Sequence, residues 1–262
     1  MTEPFKLPVL SLKGGTGKTT ICLGIARRLR DLGYKVGLLD VDIHASALPR
    51  ALNLHRDPGY DPILGGKLRP INHNGFQIFS IGLLFDEEIP NMWDGKMKAD
   101  AVRQIATTSI AWDEDLQWVV VDTPPTSGDE VQSLLHHLSS IYGCVIVCQP
   151  NDLSVLGIAK TINALRETET PIAGLVTNMA GYRCPRCGEV SNPFDRSPED
   201  VEDLARQFKL HYLGEVPFGP EEERAQPLTE IVDRLLQWQP ITLKENKRGG
   251  LSRWFLERQL KR

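Results

Sequence analysis

The chain is 262 residues long with a net charge of −4 at pH 7, so its charge balance gives no reason to expect nucleic acid as a partner. Hydrophobic residues make up 41% and charged residues 24%, ordinary for a globular, water-facing protein, and no apolar run approaches the ~20 residues that span a bilayer. Met1 to Lys6 is too short and polar for a signal peptide, which leads us to expect a cytoplasmic protein. Five cysteines are too sparse, and odd in number, for a disulfide framework.

A short apolar run, Leu7 to Leu12, leads into Lys13-Gly14-Gly15-Thr16-Gly17-Lys18-Thr19-Thr20 and then a helical pattern. A strand, a glycine-rich turn and a helix N-terminus in that order make a phosphate cradle. The glycines let backbone N–H groups turn inward, the helix dipole favours an anion, and Lys18 adds a full positive charge. Thr19 then offers its hydroxyl to a magnesium ion. The motif commonly opens with a glycine five residues before Gly17, and here Leu12 stands there. In the following helix Ile21, Ile25, Leu29 and Leu32 form a core-facing stripe, with Arg27, Arg28 and Arg30 off it, Cys22 beside it, and Gly33 as the stop.

Lys35 to Asp40 reads as a buried strand closing on Asp40-Val41-Asp42-Ile43-His44. Carboxylates at the end of a parallel strand face the same crevice as the phosphate cradle. Prolines and glycines predict loops with short structure over 48–75, then a strand at 76–82, a loop at 85–97 and a helix at 98–110. Leu116 to Val121 is a strongly apolar strand ending in Asp122, the pattern of a carboxylate that holds magnesium, followed by the stiff Thr123-Pro124-Pro125-Thr126 loop.

Gly143 to Gln149 is a further buried strand; Cys144 and Cys148 in it would lie ~13 Å apart and cannot share a metal. A helix at 153–168, a strand at 172–177 ending in Asn178-Met179, a helix near 198–208 and a last strand at 212–218 complete the pattern. The recurring strand–helix alternation predicts an α/β fold, a mostly parallel sheet flanked by helices. No composition shift divides the chain, so one domain is expected over 1–240, with the cysteine loop at 181–194 and a basic tail at 241–262. In that tail Leu251, Trp254 and Phe255 cluster on a helical wheel while Leu256 and Leu260 point elsewhere, a split apolar face that argues against a membrane anchor.

Cys184-Pro185-Arg186-Cys187-Gly188 lies between the Asn178 strand and the next helix. A Cys-x-x-Cys turn points two thiolates at one soft metal centre. Three readings compete: a thioredoxin-like redox pair, which lacks the expected fold context, half of a zinc site and half of an iron–sulfur site, the last two fitting equally by ligand count; two such loops across a two-fold axis supply four thiolates.

The Lys-Gly-Gly-Thr-Gly-Lys-Thr stretch at 13–19 resembles that of the deviant P-loop ATPases, which include MinD, ParA, the nitrogenase iron protein and the Mrp-type iron–sulfur carriers. Gly37 to His44, Ser80-Ile81-Gly82, Trp93-Asp94-Gly95, Trp112, Asp122 to Pro125, Asn178-Met179, the cysteine pair and Phe194 narrow the resemblance to the Mrp (ApbC-like) carriers. The resemblance implies ATP, Mg2+ and a 4Fe–4S cluster held between the subunits of a homodimer, with apo iron–sulfur proteins as clients. It implies that Lys13 reaches the partner's nucleotide, that Asp42 helps position the attacking water, and that Asn178 contacts the adenine. It also implies that Pro217 lies on the nucleotide side. Ala45-Ser46-Ala47 stands where the family commonly has Gly-Pro-Ser, and Thr126 where it has glycine; both fall in switch loops. The alternatives are a MinD/ParA-like positioning ATPase acting at membrane or DNA, which has no use for Cys184 and Cys187, and a zinc-bridged dimeric nucleotide switch.

Overall fold

The computed structural model describes residues 3–42, 46–54, 62–63, 67–83, 110–125 and 129–239. Several expectations lie outside these residues: Ile43 to Ala45, the loop at 85–97 with Trp93-Asp94-Gly95, all of the 98–110 helix except Ile110, Thr126, and the tail at 241–262.

The described elements in chain order begin with β1 (Phe5–Leu10), α1 (Lys18–Asp31), β2 (Val36–Asp40) and α2 (Leu48–Ala51). Four more strands follow: β3 (Pro62–Ile63), β4 (Lys67–Leu68), β5 (Ile71–His73) and β6 (Phe76–Ser80). Then come β7 (Trp118–Asp122), α3 (Asp129–His137), β8 (Cys144–Cys148), α4 (Asp152–Glu167) and β9 (Ile172–Arg183). The chain continues through β10 (Val190–Ser191), α5 (Pro198–Gln207), β11 (Tyr212–Phe218) and α6 (Glu221–Gln237).

All but β3 and β4 join one nine-stranded sheet. Across it the order runs β11, β9, β8, β1, β7, β2, β6 and β5, with β10 folded back on the far end of β9. Only β5 and β10 pair antiparallel in it. The interior strands read as unbroken apolar runs such as Trp118-Val119-Val120-Val121, because helices cover both faces and every side chain is buried. Leu7, Val9, Ile78, Val120, Val145 and Val147 face α1 and α6. Leu10, Ile146 and Cys148 face α3, α4 and α5.

Helix α1 follows the predicted stripe at Ile21, Ile25 and Leu29, each fully buried, but Leu32 departs from it. Leu32 is the C-cap, where the helical phase ends, and it is exposed. The arginines off the stripe reach α6, Arg28 pairing with Asp233 at 3.0 Å and Arg27 with Glu221. Gly24 lets the two helices approach: a Cβ there would lie 2.5 Å from a Leu228 methyl.

Three further departures concern the edges of elements. The strand expected at 76–82 ends at Ser80, and Ile81–Leu83 turns as a 3₁₀ segment. The strand expected at 172–177 runs on to Arg183, because β11 and then β10 supply it with partners. Helices α3 and α6 were not expected; α6 contains Pro227, yet it buries Leu228, Ile231, Val232 and Leu235 on one face. β1 lies between β7 and β8, and from it the chain crosses to β2, so the loop after β1 opens at a topological switch point.

Candidate functional site

The loop after β1 carries the first set of functional side chains. Gly15 and Gly17 have φ of 76° and 85°, left-handed values that other residues adopt at a cost. Ser11 Oγ and Thr16 Oγ1 both donate to the Lys13 carbonyl, at 2.8 and 3.4 Å, which folds the loop back on itself. Gly17 caps α1 without a side-chain hydrogen bond, leaving the first N–H groups of the helix for an anion. Lys18 is buried in this cradle, whereas Lys13, Gly14 and Gly15 are exposed; Thr19 and Thr20 are half-buried on the first turn. Leu12 explains its own departure from the common motif: it packs against α4 so closely that a Cβ on Gly157 would lie 1.9 Å from its Cδ2.

Two aspartates stand side by side at the strand ends, since Asp40 of β2 is in register with Asp122 of β7. Thr19 donates its hydroxyl to Asp122 Oδ2, while Asp122 Oδ1 is buried and accepts no hydrogen bond among the described residues. A buried carboxylate oxygen without a donor is costly, and a hard cation would satisfy it. With the Thr19 hydroxyl adjacent, this pair fits Mg2+. Burial first, and then the nearby Asp42 charge, raises the Asp122 carboxyl, against the lowering effect of Thr19 and Lys18.

Asp40 does different work. It is fully buried and accepts from Ser80 Oγ at 2.8 Å, from the Asp42 N–H at 3.1 Å and from Ser46 Oγ. Burial, and then the Asp122 charge, raises its carboxyl. Asp40 therefore fastens Asp42 and Ser46, and Asp42 is held buried close enough for its charge to act on Asp122. Ser46, one of the residues that departs from the family pattern, is tied into this lock. No Cβ fits at Gly82, where it would lie 2.3 Å from Ser46.

From the other side β9 closes on the cradle. Asn178 Nδ2 donates to the Thr16 carbonyl at 2.8 Å, and Asn178 is buried. Gln149, at the end of β8, donates to the Gly15 carbonyl at 3.2 Å and to Met179 Sδ at 3.0 Å. Gln149 had no sequence signal beyond its place at a strand end. Thr123, read from the sequence only as the start of a stiff loop, donates to the Val9 carbonyl at 2.8 Å and so ties that loop to β1. Pro217 is half-buried one residue beyond Val216, the register partner of Asn178. Met179 holds a φ of 61° inside β9, a strained value for a non-glycine residue, next to the contact with the cradle.

Cys184 and Cys187 sit at the tip of the β9–β10 hairpin. The Cys184 N–H donates to the Glu189 carbonyl at 2.8 Å, and the Gly188 N–H donates back to the Cys184 carbonyl at 2.8 Å. Gly188 takes a φ of 74° to make that return. Backbone N–H groups of Cys187 and Arg186 point at Cys184 and lower its thiol, as a knuckle built for a thiolate does. Cys184 is half-buried and Cys187 exposed, whereas Cys22, Cys144 and Cys148 are buried. Desolvation raises these three thiols, Cys148 to about 12, so they are inert. Among the described residues no third His, Cys, Asp or Glu joins the pair in a group able to hold a metal.

A parallel sheet with a lysine-bearing glycine loop at its switch point, and two carboxylates at the neighbouring strand ends, defines a P-loop nucleotide-binding protein. The chain belongs to the family described as ParA, the NUBPL iron-transfer P-loop NTPases, which it matches over residues 5–235. It is 35% identical over 215 residues to an iron-sulfur cluster carrier protein of Methanocaldococcus jannaschii, covering 81% of this chain and 72% of that one. It is 32% identical over 222 residues to the cytosolic Fe-S cluster assembly factor CFD1 of Saccharomyces cerevisiae, covering 81% and 73% of the two chains. Among solved structures it is similar to a nucleotide-binding protein from Archaeoglobus fulgidus in complex with ADP, with a TM-score of 0.68 and 27% identity. That likeness covers 86% of this chain and 87% of the other. No helix of the described residues is long and apolar enough to cross a membrane.

Proposed function

We propose that this chain is an ATP-hydrolysing carrier of iron–sulfur clusters that works as a homodimer in the cytoplasm and passes its cargo to apo client proteins. The observation that carries the reading is the hairpin tip itself: two accessible thiols, one with backbone N–H groups turned toward its sulfur, on a P-loop protein and without further ligands among the described residues. Cys184 and Cys187 of two chains then make the four-thiolate cradle of a 4Fe–4S cargo.

In this reading the P-loop amides, with Gly14, Gly15, Thr16, Gly17 and Thr20, take the phosphates of ATP and Lys18 neutralises them. Thr19 and Asp122 hold Mg2+, which when bound neutralises charge on the phosphates. Asp42, its backbone N–H held by Asp40, orients the attacking water. Lys13, exposed at the lip, serves the partner's nucleotide, and Asn178 and Pro217 line the base side. β9 leads from Asn178 at the cradle, through an irregularity at Met179 and Gly181, to Arg183 beside the thiols, so nucleotide state and cargo state share one strand. The amide-lined knuckle accepts zinc as readily as iron, so a zinc-bridged nucleotide switch is the second reading.

Anaerobic reconstitution with iron and sulfide, read by visible absorbance and metal count, tests the proposal. One cluster per two chains is expected. Zinc retained under those conditions with no sulfide taken up would transfer the assignment to the second reading.

A further inference from the structure

The far end of β9 carries more than the thiols. Tyr182 is in register with Phe218 of β11, and their rings lie 6.1 Å apart, centre to centre. Both are large hydrophobic side chains left in water, Tyr182 at 39% and Phe218 at 52% exposure. Large apolar side chains left together in water mark a contact surface.

Their position relates them to the cysteine pair. Tyr182 pairs with Ser191 and Arg183 with Val190, and the ladder continues through the Cys184 N–H to the Glu189 carbonyl. Cys184 is thus still in the extended pairing, two residues beyond Tyr182. Strand alternation puts residues two apart on the same face of the hairpin. The first thiol and the aromatic pair share that face.

We infer that the Tyr182–Phe218 pair is the contact surface for a second copy of this chain, forming an apolar collar beside the shared metal centre. This rests on the reading that the two cysteines share a centre with a partner's pair. A two-fold axis through four thiolates brings like surfaces together, since an isologous interface uses the same patch on both subunits. The patch next to Cys184 must then face its own copy, and burial of the rings offsets part of the cost of association. Two rings are far below the area of a stable interface, so metal-free protein should dimerise weakly through this face and the centre and collar should reinforce each other. A collar of aromatic rings also keeps water and chelators from the cargo.

The test uses full-length wild type, Tyr182→Ser and Phe218→Ser, each reconstituted anaerobically with iron and sulfide. Far-UV circular dichroism and ATP binding control for folding, and both residues are exposed enough for the fold to tolerate serine. The dimer dissociation constant of the loaded protein, from sedimentation velocity, should rise roughly tenfold or more in each variant. Loss of cluster to an added chelator should quicken in parallel. In wild type, hydrogen exchange at the ends of β9 and β11 should slow on loading. Unchanged dimerisation and chelator rates in variants of a wild type that carries one cluster per two chains would overturn the collar alone. A wild type carrying one centre per chain would overturn the shared site, and the collar with it.

Discussion

The side-chain amide of Asn178 hydrogen-bonds the Thr16 carbonyl at 2.8 Å, and its nitrogen occupies the space a Cβ on Gly17 would need, 2.1 Å away. A residue midway along β9 and a glycine after β1 are thereby locked together past the end of β8, the strand between them. Gly17→Ala should therefore fold but lose tight nucleotide binding. The left-handed φ alone costs about 1–2 kcal/mol, and the clash must also push Asn178 off the loop. Isothermal titration with ATP, beside a thermal melt showing a cooperative transition, checks both halves.

The two lysines should separate by assay. Lys18→Ala removes a buried charge from the cradle and should weaken ATP binding by roughly a hundredfold, as loss of a charged hydrogen-bonding partner does. Lys13→Ala, altering an exposed residue at the lip, should leave binding within a few-fold and suppress turnover. Parallel loss of binding in both variants would show that Lys13 serves its own subunit's nucleotide.

Asp42→Asn should bind MgATP and hydrolyse it about ten- to a hundredfold more slowly, since neutralising the carboxylate weakens its hold on the attacking water. The measurement is single-turnover phosphate release. Asp40→Asn is the informative comparison, because it loosens the Ser46 and Ser80 lock and should reduce turnover through Asp42 placement.

The strand-end carboxylates set a pH dependence. Burial raises Asp122 and Asp40 above their unfolded range near 4. Around that pH and below it, both states hold the protons and the pair costs nothing. As pH climbs through the raised folded values, the folded state must ionise buried groups and loses stability. Asp122→Asn should therefore stabilise the nucleotide-free protein at pH 8 by about 1–2 kcal/mol, a few degrees in Tm, with the gain vanishing near pH 4. The same variant should lose the stabilisation that MgATP gives the wild type, because its site no longer offers the metal a carboxylate. Differential scanning fluorimetry across pH, with and without MgATP, reads both effects.

Each of Cys184→Ser and Cys187→Ser should abolish cluster retention, since a symmetric dimer then offers two thiolates in place of four. Serine variants of Cys22, Cys144 and Cys148 should retain it and lose only stability through core packing. Metal count after desalting is the measurement.

Much of this site was legible because its chemistry is local in the chain. The lysine-flanked glycine run, the aspartates at strand ends and the Cys-x-x-Cys turn each draw their meaning from residues within a few positions, and buried strands announce themselves as apolar runs. Length, charge and those motifs determined an α/β nucleotide-binding fold and the location of both candidate centres. Tertiary structure decided what depends on distant partners. Asp40 became a lock only because Ser80, 40 residues on, and Ser46 could reach it. Leu12 could replace a glycine because Gly157 makes room for it. β9 outran its predicted end because strands are completed by neighbours, and α6 formed across Pro227 because its buried face outweighed one missing hydrogen bond. Gln149 and the Tyr182–Phe218 pair carried no local signal, since pairing across a sheet is a property of register, and register is settled only when the strands meet.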